Sequence, residues 1–177
     1  MGKHIRPYLS LFEETAATFG DPSKPISIVE TGTYIGESTV AFIRGLNRRP
    51  GGGTLVSVDH KNYEPMVREN MRKHGIDDSR WTFVLGDTKK QETIDRLKGE
   101  YDLGLVDGDH SYEGAKSDHE NIIVPNLKPG GVCFYHDVTK VQFGVPKFWS
   151  EVDPADWEDK REDIREPGCL GILRKKS

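Results

Sequence analysis

The chain has 177 residues, of which 34% are hydrophobic and 31% are charged, and its formal net charge is −4 at pH 7. A chain of this length is expected to fold around one hydrophobic core, so we predict a single domain over residues 1–177, with a short N-terminal helix or lid over 1–25 and the core over 26–177. The negative charge and the absence of a long basic run argue against a nucleic-acid-binding protein, and no apolar stretch is long enough to cross a membrane.

Five apolar runs in the sequence have the composition of β-strands, and each ends at a carboxylate. The runs are 26–29 before Glu30, 54–58 before Asp59, 81–86 before Asp87, 103–106 before Asp107 and 132–136 before Asp137. Helical segments alternate with these runs, which predicts right-handed βαβ units and a parallel sheet. Because ligands bind outside the carboxyl ends of the strands in such a sheet, we expect these acids to gather along one rim. A rim of acids suits a ligand rich in hydroxyl and amino groups.

Helical spacing and capping residues predict the connections between the strands. We predict helices over 8–19, through 40–46, over 64–73, over 89–98 and from Tyr112 toward Ile123. Ser111 is a candidate N-cap for the last of these helices, and Pro125 is expected to end it. Residues 151–166 carry eight acids against three bases and are predicted to be mostly solvated surface. Residues 164–174 are predicted to form a terminal β-hairpin.

The two cysteines and the first residues of the chain bear on the cellular compartment. Cys133 and Cys169 lie in apolar, strand-like contexts, and we interpret them as buried reduced thiols and not as a disulfide. The first residues lack the hydrophobic segment of a signal peptide. Together these features predict a cytoplasmic protein.

The turn after the first strand, residues 30–36, carries glycines where a ligand could approach the backbone. It lacks the middle glycine of the G-x-G-x-x-G turn that binds dinucleotides. Tyr34 would crowd a pyrophosphate there and Glu30 would repel it. The turn therefore favours a nucleoside ligand with a cationic end and no phosphates, such as S-adenosylmethionine. The alternative is a plain tight turn, which any doubly wound fold needs.

Two acids after the next strands are placed to contact the same ligand. Asp59 could accept hydrogen bonds from both ribose hydroxyls, although Rossmann dehydrogenases also use an acid at this position. Asp87 could reach the amino group of an adenine, or it could cap the helix that follows it, and we give these two readings equal weight. His60 is placed to touch the edge of the adenine.

Residues 29–39 resemble the first motif of class I S-adenosylmethionine-dependent methyltransferases. Residues 105–114, 127–131 and 135–138 follow in the right order and narrow the match, because together they resemble the bacterial small-molecule O-methyltransferases that act on sugars and antibiotics. That subgroup is related to the catechol-type enzymes, and the resemblance covers about residues 26–174.

The resemblance implies a fold and a set of cofactor contacts. The fold is α/β, a Rossmann-like doubly wound sheet of seven strands in the order 3-2-1-4-5-7-6 with strand 7 antiparallel. The cofactor is S-adenosyl-L-methionine. The residues that we expect to contact it are Glu30, Gly32, Tyr34, Gly36, Ser38, Asp59, His60, Gly86, Asp87 and Asp107.

The resemblance also implies a divalent cation, held by Asp107, His136 and Asp137. The middle position is usually an acid in metal-dependent relatives, and His136 departs from that pattern. Imidazole is a poor ligand for Mg²⁺ and a good ligand for Mn²⁺, so the identity of the ion is left open between the two. The alternative is that Asp107 contacts the cofactor while His136 and Asp137 cap the next segment.

Two residues after the fourth strand are candidates for the base that removes the proton from the acceptor. Asp109 matches the position assigned as base in some sugar-modifying relatives, and we favour it slightly. His110 is the other candidate, because an ordinary imidazole titrates near neutral pH. For His110 the alternative is a hydrogen bond to the start of the following helix.

These features predict an S-adenosylmethionine-dependent O-methyltransferase that acts on a small hydroxylated molecule or a glycan, assisted by a divalent metal. The alternatives are a non-catalytic nucleoside-binding or scaffold protein on the same fold and, less favoured, an NAD-linked oxidoreductase. The region before the first strand is short for a substrate lid. That implies an open site, a large acceptor such as a glycan chain, or a lid contributed by a second subunit in a homodimer.

Overall fold

The computed structural model describes residues 7–163 and 170–177. Strands and helices alternate along most of this part of the chain. In order they are α1 (Pro7–Thr18), β1 (Ile26–Thr31), α2 (Glu37–Arg48), β2 (Gly53–Asp59), α3 (Glu64–Lys73), β3 (Trp81–Leu85), α4 (Gln91–Arg96), β4 (Tyr101–Val106), α5 (Tyr112–Asp118), α6 (Val124–Asn126), β5 (Leu127–His136), α7 (Val145–Glu151), β6 (Trp157–Asp163) and β7 (Leu170–Lys175). A π-helical turn, His119–Ile123, joins α5 to α6, and a short 3₁₀ turn, Pro154–Asp156, precedes β6.

Seven strands form one sheet in the order β3-β2-β1-β4-β5-β7-β6. Strand β7 runs antiparallel to both of its neighbours, and the remaining pairs are parallel. The predicted strand order and the predicted antiparallel strand 7 are confirmed.

The carboxyl ends of the central strands lie level with one another. Thr31 at the end of β1 pairs with Val58 of β2 and with Val106 of β4, and Val106 pairs with Tyr135 of β5. The next residue along each of these strands therefore lies at the same rim of the sheet. This register brings together the acids that the sequence places after separate strands.

Alternation along the strands builds a hydrophobic core on each face of the sheet, as the two-residue period of a strand requires. Ile28 and Phe134 belong to the core under α1, α2 and α3, whereas their chain neighbours Val29 and Tyr135 belong to the core under α5 and α7. Both faces are covered, which explains why the strands are continuous apolar runs.

The N-terminal helix is packed into the first of these cores. Phe12 of α1 stacks on Phe42 of α2 with ring centroids 4.9 Å apart, and it also contacts Phe134 of the sheet at 5.1 Å. Arg48 of α2 forms an ion pair with Glu13 at 3.0 Å. The helix predicted over 8–19 is thus present over 7–18, and it anchors the N-terminal region to the sheet.

The predicted end of the fifth helix at Pro125 is wrong. The chain passes from α5 through the π-helical turn into α6, and Pro125 lies in the first turn of α6. A proline is tolerated there because the first backbone N–H groups of a helix have no partner within the helix.

Strand β5 begins at Leu127, earlier than the apolar run that the sequence places at 132–136. Leu127 pairs with Tyr101 and Val132 pairs with Leu103, so the intervening residues bulge out of the ladder. Gly130 has a φ of 74°, which a residue with a side chain rarely adopts.

The acidic run predicted as solvated surface contains a strand at the edge of the sheet. Strand β6 pairs with β7, and Trp157 is buried while charged residues follow it. Charges on an edge strand discourage pairing with another chain.

The predicted hairpin is confirmed in its second arm, β7, whereas its first arm at 164–166 and Cys169 lie outside the described residues. Cys133 is a buried free thiol.

No helix in the described ranges is both long enough and apolar enough to cross a bilayer.

Candidate functional site

A cleft of about 800 Å³ opens at the carboxyl rim of the sheet, between the loops that follow β1, β2, β3, β4 and β5. The register described above explains its position, because five strands release their next residues there. Of the site residues predicted from the sequence, all except Glu30 line this cleft. The rim of acids is therefore a real feature of the fold.

Glu30 lies beneath the cleft and is fully buried. Its carboxylate accepts hydrogen bonds from Ser38 Oγ at 2.5 Å, Thr39 Oγ1 at 2.6 Å and Ser57 Oγ at 2.5 Å. Burial raises the pKa of Glu30 to about 7, although the three hydroxyl donors oppose that shift. The residue ties β1 to α2 and β2 under the glycine turn, and its direct contact with a cofactor stays a prediction.

Asp59 fixes the shape of the glycine turn. Its Oδ2 accepts hydrogen bonds from the backbone N–H groups of Thr33 at 3.0 Å and Tyr34 at 3.1 Å, and its Oδ1 accepts one from Lys61 N at 3.0 Å. A carboxylate has about four lone-pair sites, so three backbone donors leave capacity for a ligand hydroxyl. Asp59 therefore organises the turn and still faces the cleft.

Packing accounts for two of the glycines in this turn. Gly32 has a φ of 84°, and a methyl group added to it would lie 2.0 Å from the carbonyl oxygen of Asp107. Gly36 has a φ of 81°, and a methyl group there would lie 2.7 Å from Val67 Cγ1. The turn must therefore pass close to the end of β4 and to α3, whatever the ligand.

Tyr34 and His60 stand at the mouth of the cleft. Tyr34 is 63% exposed, and its ring meets the ring of Tyr63 edge-on with centroids 5.5 Å apart. The imidazole of His60 is mostly exposed and its Nδ1 lies 3.2 Å from Asp59 Oδ1. Both residues line the cleft, and their contacts with the cofactor stay predictions.

A second group of residues meets on the other side of the cleft, where β4 and β5 end. Asp107 Oδ1 lies 3.1 Å from His110 Nε2 and 3.0 Å from His136 Nδ1. Asp137 Oδ1 lies 3.4 Å from His136 Nδ1, and Asp137 Oδ2 lies 3.6 Å from His110 Nε2. One donor atom from each of Asp107, His110 and His136 lies within 4.8 Å of the other two, close enough for all three to contact the same metal ion. The sequence predicted three members of this group as ligands and placed His110 beside them as a candidate base.

Two atoms of this group are buried without a well-oriented hydrogen bond to any described residue: His136 Nδ1 and Asp137 Oδ1. Lys140 Nζ lies 2.8 Å from Asp137 Oδ1 and forms an ion pair with it. Buried polar atoms are normally satisfied, so these two atoms are the ones in this group that have room for a further contact. Asp137 also has a φ of 62°, which is uncommon for a residue other than glycine and is often found at functional sites.

The charges in this group are coupled. Burial disfavours a charged imidazole, but Asp107 and Asp137 outweigh it and raise the pKa of His136 to about 9. In turn, although burial opposes it, hydrogen bonds from His110 and His136 lower the pKa of Asp107. A His136 imidazole with a pKa of about 9 carries a proton near neutral pH, and it must release that proton before its Nδ1 can bind a metal ion. Once it is neutral, the mixed nitrogen and oxygen donors of this group fit Mn²⁺ better than Mg²⁺.

The two candidate bases have different surroundings. Asp109 Oδ2 accepts a hydrogen bond from Lys89 Nζ at 2.5 Å, and Asp109 Oδ1 accepts one from Ser111 N at 2.9 Å. Burial would raise its pKa, but these donors prevail and lower it to about 2. His110 instead stacks on Phe143, with ring centroids 4.7 Å apart, and faces Asp107.

Asp87 accepts a hydrogen bond from Lys89 N at 3.0 Å and faces the cleft. The N-cap of α4 is Lys90, not Asp87, so Asp87 does not cap α4 directly. Gly86 packs against Thr93, since a methyl group added to Gly86 would lie 2.4 Å from Thr93 Oγ1. The cleft-facing position leaves the adenine contact of Asp87 as a prediction.

Sequence reasoning missed Asp118 of α5. It is only 1% exposed, it lines the cleft, and its Oδ1 has no hydrogen-bond partner among the described residues. Burial raises its pKa to about 6. Ser111 caps α5 as predicted, because its Oγ accepts a hydrogen bond from Gly114 N at 3.0 Å. Because Ser111 fixes the start of α5, the apolar residue Ala115 lies one turn before Asp118 on the same face of the helix. That spacing is the signal that would have placed Asp118 on the inner face, where Ala115 is indeed buried.

The chain is similar in sequence to known proteins. Residues 29–138 match the model of a family described as "Methyltransferase domain". An O-methyltransferase of Aspergillus hancockii, hkm8, is 29% identical over 169 residues, and the uncharacterized protein y4gI of Sinorhizobium fredii is 30% identical over 138 residues. These matches cover 88% and 73% of this chain, and they span only 63% and 15% of the two relatives.

Solved structures show the same fold. The Podospora anserina methyltransferase PaMTH1, bound to S-adenosylhomocysteine, superposes with a TM-score of 0.73 and 21% sequence identity. The superposition covers 96% of this chain and 78% of that chain.

Proposed function

The chain belongs to the methyltransferase-domain family, and on that premise we propose that it is an S-adenosylmethionine-dependent O-methyltransferase acting on a small hydroxylated molecule or a glycan, assisted by a divalent cation. The observation that carries the proposal is the level rim of the sheet. Asp59, Asp107 and His136 follow residues that are in register across β2, β1, β4 and β5. A nucleoside-binding half and a cation-binding half therefore share one cleft.

The cofactor half lies between the glycine turn and the loops after β2 and β3. S-adenosylmethionine supplies a methyl group on a positively charged sulfur. The remaining acceptor site of Asp59 suits a ribose hydroxyl, and Asp87 suits the amino group of the base. The backbone of Gly32 forms the floor beside Asp107, where a carboxylate would attract the positive charge. Glu30 supports this half from below through Ser38.

The cation half is made by Asp107, His136 and Asp137, which would hold a divalent ion. This set is supported by the short distances of His136 Nδ1 from Asp107 Oδ1 and Asp137 Oδ1, and by the lack of a well-oriented hydrogen bond at His136 Nδ1 among the described residues. A bound divalent cation supplies charge that lowers the pKa of an acceptor hydroxyl.

His110 is the better candidate for the residue that accepts the acceptor's proton. Asp109 is held by Lys89 in an ion pair, and a carboxylate with a pKa of about 2 is a weak base near neutral pH. The imidazole of His110 lines the cleft beside the cation half and is held in place by Phe143. This assignment reverses the slight preference for Asp109 that the sequence gives.

The acceptor enters where α1 meets the cation half. The ring of Tyr8 lies edge-on to His136 with centroids 5.1 Å apart, and Tyr8 lines the cleft. An aromatic wall beside polar groups suits a molecule that carries hydroxyl groups on an apolar frame.

Two measurements, made one after the other, test the proposed function. Calorimetry with S-adenosylhomocysteine and with NAD⁺ should give binding of the first only, and preferential binding of NAD⁺ would remove the proposal. A panel of hydroxylated metabolites and glycans is then screened for release of S-adenosylhomocysteine, with Mn²⁺ present. Binding of the nucleoside with no turnover across the panel would favour the non-catalytic alternative.

A further inference from the structure

The carboxyl group of Asp118 is buried at the floor of the cleft and is used by none of the contacts proposed so far. It lies where three segments meet, since Thr31 and Thr88 offer it side-chain hydrogen bonds and Gly108 packs against it. A methyl group added to Gly108 would lie 3.2 Å from Asp118 Oδ2. A side chain at position 108 would therefore crowd the carboxyl group.

Thr31 and Thr88 offer this carboxyl group side-chain hydrogen bonds, but one of its oxygens is left without a well-oriented donor. That atom is Oδ1, which is buried and has no well-oriented hydrogen-bond partner among the described residues. Lys89 lines the same side of the cleft, but its ammonium group is 2.5 Å from Asp109 and forms an ion pair there. A buried carboxyl group without a full set of hydrogen bonds is costly, so a donor brought by a ligand would be strongly favoured.

The proposed function indicates which part of the ligand reaches this floor. With the ribose at Asp59, the base extends toward the loops after β3 and β4, where Thr88, Asp87 and Gly108 line the cleft. The amino group of adenine has two N–H bonds. Asp87 at the rim could take one of them, and a second acceptor deeper in the cleft could take the other.

Resting on the proposed function, we infer that Asp118 is a specificity-determining residue that accepts a hydrogen bond from the amino group of the adenine of the cofactor. The contact selects adenine over a base that carries an oxygen at the same position. Such a base would place an acceptor against an acceptor, and both groups would remain unsatisfied in a buried place.

The test compares S-adenosylhomocysteine with S-inosylhomocysteine, in which an oxygen replaces the amino group. Calorimetry with the wild-type protein should show at least about tenfold tighter binding of the adenosyl compound. Asp118→Asn should reduce that ratio about tenfold, because an amide can present either an acceptor or a donor to the base. Asp102→Asn is the matched control. Asp102 lies at the opposite end of β4, where it accepts hydrogen bonds from Ser27 N and Lys128 Nζ, and its replacement should leave the ratio unchanged.

The outcomes separate this inference from the proposed function. If the wild-type protein binds neither compound, the proposed function fails. If it binds both equally, or if Asp118→Asn binds S-adenosylhomocysteine with the wild-type preference, Asp118 does not read the base and the inference is overturned. Should Asp118→Asn not fold, as judged by its thermal unfolding, Asp118→Ser takes its place, and a wild-type preference in that variant would equally overturn the inference.

Discussion

Asp107 Oδ1 and His136 Nδ1 lie 3.0 Å apart, although the two residues end different strands. They meet because Val106 and Tyr135, the residues just before them, are paired in the parallel ladder between β4 and β5. Each side chain then leaves the sheet at the same height and turns into the same cleft. The cation half of the site is thus a direct product of strand register.

Asp107→Asn should lower kcat by a factor on the order of 10² to 10³, since it removes a charge aimed at the reacting centre. Affinity for S-adenosylhomocysteine should change by less than about fivefold, because the main nucleoside contacts are elsewhere in the cleft. Steady-state kinetics and calorimetry on the same preparation measure the two effects. Asp102→Asn, at the other end of the strand, is the control for the Asp-to-Asn change itself. An equal loss of nucleoside affinity would move Asp107 into the cofactor half.

His110 and Asp109 can be separated as candidate bases by paired substitutions. His110→Gln should lower kcat by a factor on the order of 10² to 10⁴, the usual contribution of a positioned base. Asp109→Asn should lower kcat by less than about tenfold, because its charge is already neutralised by Lys89. The rates are measured with saturating cofactor. A larger loss in the Asp109 variant would restore the assignment that the sequence favours.

The histidine at position 136 should set the metal preference. Chelation with EDTA should abolish most activity, and Mn²⁺ should restore it better than Mg²⁺, because imidazole binds Mn²⁺ more readily. His136→Glu should shift the preference toward Mg²⁺ by supplying a third oxygen donor. Activity that survives exhaustive chelation in the wild-type protein would rule out the cation half as a metal site.

Much of this arrangement could be predicted from the sequence, and particular residues show why the rest could not. The apolar runs before Asp59, Asp107 and Asp137 identify buried parallel strands, and parallel strands release their ends at one rim. The buried position of Glu30 depends on three hydroxyl groups that α2 and β2 bring to its carboxylate. No local pattern encodes that meeting, so the sequence places the carboxylate in the cleft and the structure places it underneath.

The surroundings of Asp109 and the presence of strand β6 could not be predicted, for similar reasons. The ion pair between Asp109 and Lys89 joins two loops, and neither loop contains a signal for the other. Strand β6 is an edge strand whose charged side chains mask the period of a strand, with Trp157 as its main buried anchor. In both cases the decisive contact is tertiary.

The raised pKa of Glu30 makes stability depend on pH. The ordinary carboxyl pKa is 4.5 and the folded value is about 7, so the folded protein retains a proton that the unfolded chain releases. The stabilising contribution is therefore complete below the unfolded pKa and is lost as the pH rises through about 7. Relative to Glu30→Gln, the wild-type free energy of unfolding should fall by roughly 1–3 kcal/mol between about pH 5 and pH 8.

Urea unfolding of both proteins at the two pH values measures this difference, and the variant serves as its own reference for all other titrating groups. A difference that is constant with pH would show that Glu30 is charged in the folded protein throughout this range.

Gly32 and Gly75 form a matched pair for testing the close approach of the glycine turn. Both have positive φ, but a methyl group at Gly32 would lie 2.0 Å from Asp107 O, whereas at Gly75 it would meet no described atom within 4 Å. Gly75→Ala should lower the free energy of unfolding only by the backbone strain, about 1 kcal/mol. Gly32→Ala should lower the free energy of unfolding several times more, and it should also weaken the binding of S-adenosylhomocysteine. Thermal unfolding and calorimetry measure both effects, and equal costs would show that the turn can move away from β4.

A crystal structure of the protein with S-adenosylhomocysteine and Mn²⁺ would show directly whether the cation and the nucleoside bind in one cleft. We expect anomalous scattering from Mn²⁺ between Asp107, His136 and Asp137, and the nucleoside in the same cleft with its ribose at Asp59. Manganese elsewhere on the molecule, or a nucleoside bound away from the rim formed by these strands, would contradict it.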